Sequence, residues 1–189
     1  MINQNSQRSD EKALITQAKD GNADAFGMLY EIHAGEIYQF LYAHLTNVND
    51  AEDITLDVFI HTWQALPTYD DRGLPFRAFL FKVARNKLID HFRQVKHTHP
   101  LNEEMMDVNR PNPEEETLQS AERKKMRNIL GQLHKDYEQV LILRFFSGLN
   151  AQEIARIMAR SEAAIRVLQF RALQSMKKLL ADEGVDENK

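Results

Sequence analysis

The sequence predicts an all-α protein built as two small helical domains joined by an acidic linker. Apolar residues recur at steps of three and four, and no strand-like alternation persists. Glycine is scarce inside those runs. Over 97–121 the periodicity stops; three of the five prolines (Pro100, Pro111, Pro113) fall there beside a run of glutamates, which marks a linker. The predicted domains are 10–96 and 122–180, with 97–121 between them.

Each element has its own signal. A short helix near 10–19 stops at Gly21, and a longer one follows with Phe26, Leu29, Tyr30, Ile37, Phe40 and Leu41 on its apolar face. The next is expected to begin after Asn49, because Asn49 and Glu52 have the spacing of a capping box. It runs through Ile54, Val58 and Trp63 and ends before Pro67. Residues 67–75 form a loop bounded by two prolines, with Gly73 inside, a strong punctuation pattern. A basic helix then runs from Phe76 to about Gln94. Beyond the linker, helices resume near 118–133, 137–146, 151–159 and 162–180, and the tail ADEGVDENK is expected to fray.

Composition narrows the function. At 189 residues, 43% hydrophobic and 28% charged, the chain can bury a core. The absence of cysteine excludes a disulfide scaffold, a thiolate zinc site and thiol redox sensing. The N-terminus lacks a basic start followed by an apolar run, so no signal peptide is read. No run of about 18 apolar residues could span a bilayer; a cytoplasmic protein is expected. The net charge of −4 conceals segregation: 72–96 hold seven basic residues against Asp90, 101–122 hold seven acidic ones against Arg110, and 156–178 hold six basic ones against Glu162. Local patches, not the total, decide where a phosphate backbone binds.

Residues 148–172, GLNAQEIARIMARSEAAIRVLQFRA, have the form of a helix-turn-helix. Asn150 and Glu153 make a capping-box pair, and Ser161 is placed to cap the second helix. Projected at about 100° per residue, Ile165, Leu168, Ala172 and Met176 form the buried side of that helix. Arg166, Val167, Phe170, Arg171 and Gln174 fall opposite. A phenylalanine between arginines on a groove-facing helix suits a thymine methyl or sugar, with the arginines on phosphates or guanine edges.

Three segments in order, DAEDITLDVFIHTWQAL (50–66), FRAFLFKVARNKLIDHFR (76–93) and YEQVLILRFFSGLNAQEIARIMARSEAAIRVLQFRAL (137–173), resemble regions 2 and 4 of extracytoplasmic-function (ECF) sigma factors, of the sigma-70 family of bacterial RNA polymerase. The resemblance covers about 22–96 and 120–180. It implies a sigma region 2 helical bundle (10–96) and a sigma region 4 helix-turn-helix (122–180) that bind core RNA polymerase and direct promoter-specific initiation through −10 and −35 elements. On it, Asp50, Glu52, Asp53 and Asp57 are the core-polymerase contacts. Tyr69, Phe76, Arg77, Lys82, Arg85, Asn86, Lys87 and Arg93 contact the −10 element as duplex and as melted strand; Phe79 is an aromatic more readily read as core packing. Ser161, Arg166, Val167, Phe170, Arg171 and Gln174 contact the −35 element. Melting needs aromatic or pocket capture of unstacked bases beside positive charge, which the −10 set supplies. Family members are often held inactive by an anti-sigma factor, an expected partner here that could sequester the protein at the inner membrane.

The pattern departs from the family at Leu56, at His134 and at Ala163, where a polar residue, a proline and a glycine are common. A stand-alone helix-turn-helix regulator that binds an operator without polymerase also accounts for 137–180, but gives the acidic helix and the basic aromatic segment no purpose. No catalytic residue, cofactor or metal site is expected: HExxH, GxSxG and a Gly-rich phosphate loop are absent, and His91, His97 and His99 read as solvated or phosphate-facing. The centres of the two elements lie about 25 base pairs apart, roughly 85 Å at about 3.4 Å per pair. The domains themselves span about 25 Å of this, and the remaining roughly 60 Å is within the roughly 80 Å reach of a linker of about 25 residues.

Overall fold

The computed structural model describes the backbone of residues 4–45, 47–70, 73–98, 126 and 128–186, and side chains over 10–45, 47–70, 73–95, 126 and 128–182. Among these residues there is no strand. The elements are α1 (Gln4–Lys19), α2 (Ala23–Leu45), α3 (Val48–Ala65), a 3-10 turn (Leu66–Thr68), α4 (Phe76–Thr98), α5 (128–132), α6 (Lys135–Leu141), a π-helical turn (Ile142–Phe146), α7 (Ala151–Met158) and α8 (Glu162–Asp186).

In the first unit, Gly21 at φ +91° lets the chain reverse after α1. The Asn22 side chain then accepts from the Ala25 N–H (3.0 Å) at the start of α2. Phe26 meets Trp63 and Tyr30 meets Phe59, each at 4.8 Å between ring centres. As residue number rises along α2 it falls along α3, so the two helices are antiparallel. The start of α3 differs from the expectation. Asn47, not Asn49, is the cap, its side chain accepting from Asn49 and Asp50 N–H. The asparagine two residues earlier offers its oxygen to free N–H groups first, which leaves Asn49 and Glu52 inside the helix.

Helix α4 is buried over much of its circumference because α2, α3 and α7 all pack on it. Ala78, Leu80, Phe81, Ala84 and Leu88 are almost fully buried, and Phe81 meets Phe40 edge-on at 5.4 Å. Complete burial of one such large side chain stabilises by about 1.5–3 kcal/mol.

In the second unit, the His134 imidazole accepts from the Asp136 N–H and caps α6, so the departure at 134 supplies its own helix start. Gly148, at φ +62°, turns the chain after the π-helical segment. Asn150 and Glu153 form the expected capping box, with bonds of 2.8 and 3.0 Å. The turn into α8 passes through Ala159 at φ +53°, a left-handed conformation that costs a non-glycine residue about 1–2 kcal/mol. Ser161 Oγ then accepts from the Ala164 N–H at 3.2 Å. Ile165 and Ala172 are fully buried, with Leu168 and Met176 packed against the same core.

The two units pack against each other: α7 lies on α4, and the π-helical turn on α2. Two further expectations change. Helix α4 continues to Thr98, past the expected end near Gln94, and α8 to Asp186, into the tail expected to fray. Residues 99–121 of the expected linker, His99, and the side chain of His97 lie outside the described residues.

Asn150→Ala removes the half of the capping box that the Asn150 side chain supplies, its Oδ1 accepting from the Glu153 N–H, and leaves the backbone N–H of residue 150 to the Glu153 carboxylate. A loss of about 1 kcal/mol is expected in urea unfolding followed by circular dichroism.

Candidate nucleic-acid interface

Three surfaces carry the candidate residues. On α8, Arg166, Val167, Phe170, Arg171 and Gln174 are all exposed, and Phe170 is 64% exposed. The opposite side of the same helix is core, so the sequence projection holds. Arg166 is bonded to Glu162 at 2.6 Å, an exchangeable surface pair. Ser161 spends its oxygen on the helix cap. Ala163 is exposed beside it, at the start of the helix.

On α4, Lys82, Asn86 and Arg93 are exposed and lie along one stripe at helical spacing. Arg77, Arg85 and Lys87 flank it but are engaged internally. Arg77 donates to Glu36 at 2.8 Å and to the Ser147 carbonyl, Arg85 to Gln139 at 3.0 Å, and Lys87 to Asp57 at 3.3 Å. Burial pulls the Arg85 guanidinium below its ordinary value, and Arg160 adds to this against the opposing charge of Asp136.

The structure places the expected aromatics below the surface: Tyr69 and Phe76 are only 7% and 3% exposed in this conformation. They shape the loop: Tyr69 donates its hydroxyl to the Leu74 carbonyl at 2.7 Å, and its own carbonyl accepts from Lys19 at 2.6 Å. Phe79, read as core, is half-buried and lines a cleft of about 440 Å³ with Lys82, Asp70 and Arg156. Alternation of exposure along a helix explains the exchange. Phe76 points into the bundle beside His33, whereas Phe79 sits at the junction with the loop.

On α3, Glu52, Asp53 and Asp57 are exposed, while Asp50 is half-buried with the His91 ring 4.0 Å away. Ile54 and Val58 turn inward as expected, and Trp63 is half-buried. Leu56 and Ile60, at 55% and 48% exposure, stand one turn apart among these carboxylates. Leu56 thus stands in water at a position where the family commonly has a polar residue.

Pattern reading missed a buried charge cluster. The His33 ring is bonded at 2.8 Å to Glu11 through Nε2 and at 2.8 Å to Glu36 through Nδ1. Burial alone would lower its pKa, but hydrogen bonds and charge from Glu11 and Glu36 outweigh it and raise the value to about 8. Burial would raise the Glu36 carboxyl, yet His33 and Arg77 hold it below its ordinary value. The only sequence signal was a histidine on the buried face of α2 with a glutamate three residues on. Elsewhere, burial pushes Glu138 up to about 7 against the pull of Lys135. Among the described residues no cluster of His, Cys, Asp and Glu could hold a metal ion, and no helix is long and apolar enough to cross a membrane.

Comparison with known proteins gives concordant results. The family model for Sigma-70 region 2 matches residues 29–98 and that for Sigma-70 region 4 matches 123–176. The chain is 32% identical over 174 residues to the ECF RNA polymerase sigma factor BldN of Streptomyces coelicolor, covering 90% of this chain and 66% of that protein. It is 30% identical over 183 residues to the RNA polymerase sigma factor NccH of Alcaligenes xylosoxydans xylosoxydans, covering 94% and 98%. Among solved structures it resembles CnrH in complex with the cytosolic domain of CnrY, at a TM-score of 0.73 and 25% identity over 92% of this chain and 98% of that one.

The His33 cluster predicts a pH dependence. Its pKa is raised from about 6.5 to about 8 on folding, so the stabilisation is complete below pH 6.5 and lost as pH rises through 8. The shift corresponds to about 2 kcal/mol. Stability should fall by about that amount between pH 6.5 and 8.5 in urea titrations, and His33→Gln should flatten that part of the profile. Glu138, raised from 4.5 to about 7, acts in the same direction at lower pH: its burial penalty is absent below about 4.5 and develops as pH rises through 7.

Proposed function

The chain belongs to the ECF sigma factors of the sigma-70 family, and we propose on that footing how its surfaces divide the work of promoter recognition. The first unit, over 10–96, docks on core RNA polymerase through the acidic α3 face of Asp50, Glu52, Asp53 and Asp57 with Leu56 and Ile60 between them. The stripe of Lys82, Asn86 and Arg93 on α4, extended by Arg77, Arg85 and Lys87 once these are released, tracks the −10 strand. Phe79 supplies the aromatic edge of the cleft beside it. The second unit, over 122–180, lays α8 in the major groove at the −35 element. Arg166 and Arg171 meet phosphates or guanine edges, Phe170 and Val167 meet thymine methyls, and Gln174 adds a hydrogen bond.

The observation that supports this reading is the coexistence of two separate exposed basic faces, on α4 and α8, with a third, acidic and apolar, face on α3. An operator-binding regulator needs only the α8 face. The protein catalyses no covalent step of its own; polymerase supplies the chemistry. It works in the cytoplasm, and an anti-sigma factor is a fitting regulator. Support for that partner comes from CnrH, whose structure was solved with the cytosolic domain of CnrY.

Transcription from a random promoter library, using bacterial core polymerase with and without the chain, tests the reading. Defined start sites downstream of a shared pair of motifs should appear only when the chain is present; unchanged start sites contradict it. Arg171→Ala should weaken −35 use by about 1–3 kcal/mol and leave affinity for core polymerase unchanged. Equal loss of both would remove Arg171 from the −35 contact.

A further inference from the structure

We propose that the cleft where α4 meets the 67–75 loop and α7 is a binding site for a free nucleotide. Its volume is about 440 Å³, within the range of about 300–1,000 Å³ typical of small-molecule sites. Three parts of the chain build it. The 3-10 turn and the loop after it supply Thr68, Asp70 and Leu74, α4 supplies Phe79 and Lys82, and α7 supplies Arg156.

Its charges call for an anion. Lys82 and Arg156 are both exposed, and neither has a hydrogen-bond or ion-pair partner among the described residues. That sets them apart from Arg77, Arg85, Lys87 and Arg160, all of which are engaged within the protein. Against these two cations the lining holds one carboxylate, Asp70, so the cleft is left positive. A phosphate accepts from a guanidinium and an ammonium at once. Its apolar wall calls for more than an inorganic anion. Phe79 packs on Tyr69 with ring centres 5.1 Å apart, and it remains half-buried beside Leu74 at the edge of the cleft. A base or a sugar can lie on such a wall. Thr68 gives its hydroxyl hydrogen to the Ala65 carbonyl at 3.0 Å. Its oxygen and the Asp70 carboxylate therefore offer acceptors to the hydroxyls of a sugar or the amino group of a base. Phosphate, planar ring and hydroxyls together specify a nucleotide.

A nucleotide within a DNA strand offers the same chemistry. The proposed division of surfaces, on which this one step rests, separates the two sources. With α4 at the −10 element and α8 at the −35 element, α7 stands away from α4 and takes Arg156 with it. Phe79, Lys82 and Arg156 meet only where α7 packs on α4, and there the ligand is a free nucleotide. By linkage, the nucleotide stabilises that packing by as much as the packing improves its affinity.

Titration calorimetry of the full chain with AMP, GMP, CMP and UMP in turn, at about 0.15 M salt, tests the site. At least one should bind with a stoichiometry of one. Inorganic phosphate should bind about tenfold more weakly, because it gains nothing from the Phe79 wall. Arg156→Gln should weaken the nucleotide about tenfold through loss of a charge-assisted hydrogen bond, and Phe79→Ala should weaken it by a similar factor. If Phe79→Ala fails to fold, as circular dichroism would show, Arg156→Gln on an exposed side chain still decides. Affinity for a fluorescent dT12 strand should not change in Arg156→Gln. Absence of binding by all four nucleotides overturns the site, and unchanged nucleotide affinity in Arg156→Gln overturns its placement. Equal affinity for inorganic phosphate overturns the nucleotide assignment. Equal loss of dT12 and nucleotide affinity in Arg156→Gln gives the cleft to strand binding and overturns the free ligand. These titrations need no polymerase, so failure of the sigma reading appears separately, as absence of chain-dependent transcription.

Discussion

Helix α4 must satisfy two demands that compete for the same surface, and the rest of the molecule is arranged around that conflict. It supplies a large share of the first unit's core, through Leu80, Phe81, Ala84 and Leu88. On the proposed reading it also carries the positive charge that holds a phosphate backbone. With α2, α3 and α7 all packed on it, only a narrow stripe remains in water. The charges that do not fit on that stripe have partners within the protein, Arg77 in Glu36 and the Ser147 carbonyl, Arg85 in Gln139 and, at the surface, Lys87 in Asp57. Buried or half-buried cations require such partners, because an unpaired charge away from water is far more costly than a paired one.

That arrangement couples surfaces that sequence treats as separate. Asp57, a candidate polymerase contact, is the partner of Lys87, a candidate DNA contact. On the proposed division of surfaces, a polymerase side chain that takes Asp57 would free Lys87 for phosphate. Exposed pairs of this kind contribute little to stability, which makes them cheap to exchange on binding. The overall charge of −4 conceals these local competitions.

Legibility in the sequence followed the physical reach of each signal. The helix-turn-helix was legible almost residue by residue, since caps, turn and periodicity are local: Asn150 with Glu153, Ser161, and the split between Ile165 and Phe170 needed no tertiary information. The α3 cap was misplaced by two residues because Asn47 and Asn49 carry the same chemistry, and only backbone geometry selects between them. The burial of Tyr69 and Phe76 was not legible, because an aromatic near basic residues has the same pattern whether it faces in or out. The His33 cluster and the Arg77 tie escaped notice altogether. Their members, at 11, 33, 36, 77 and 147, are brought together only by the packing of α1, α2 and α4 with the second unit.

The central claim is that one chain grips two separated stretches of a single promoter through α4 and α8 while bound to polymerase. Photo-crosslinkers placed one at a time at Lys82 and Phe170, in complexes of chain, core polymerase and promoter, measure this directly. The account predicts crosslinks at two places about two and a half turns of duplex apart, with Lys82 on a melted strand and Phe170 on duplex. Crosslinks from both positions to one compact duplex site, unchanged when polymerase is left out, would contradict it.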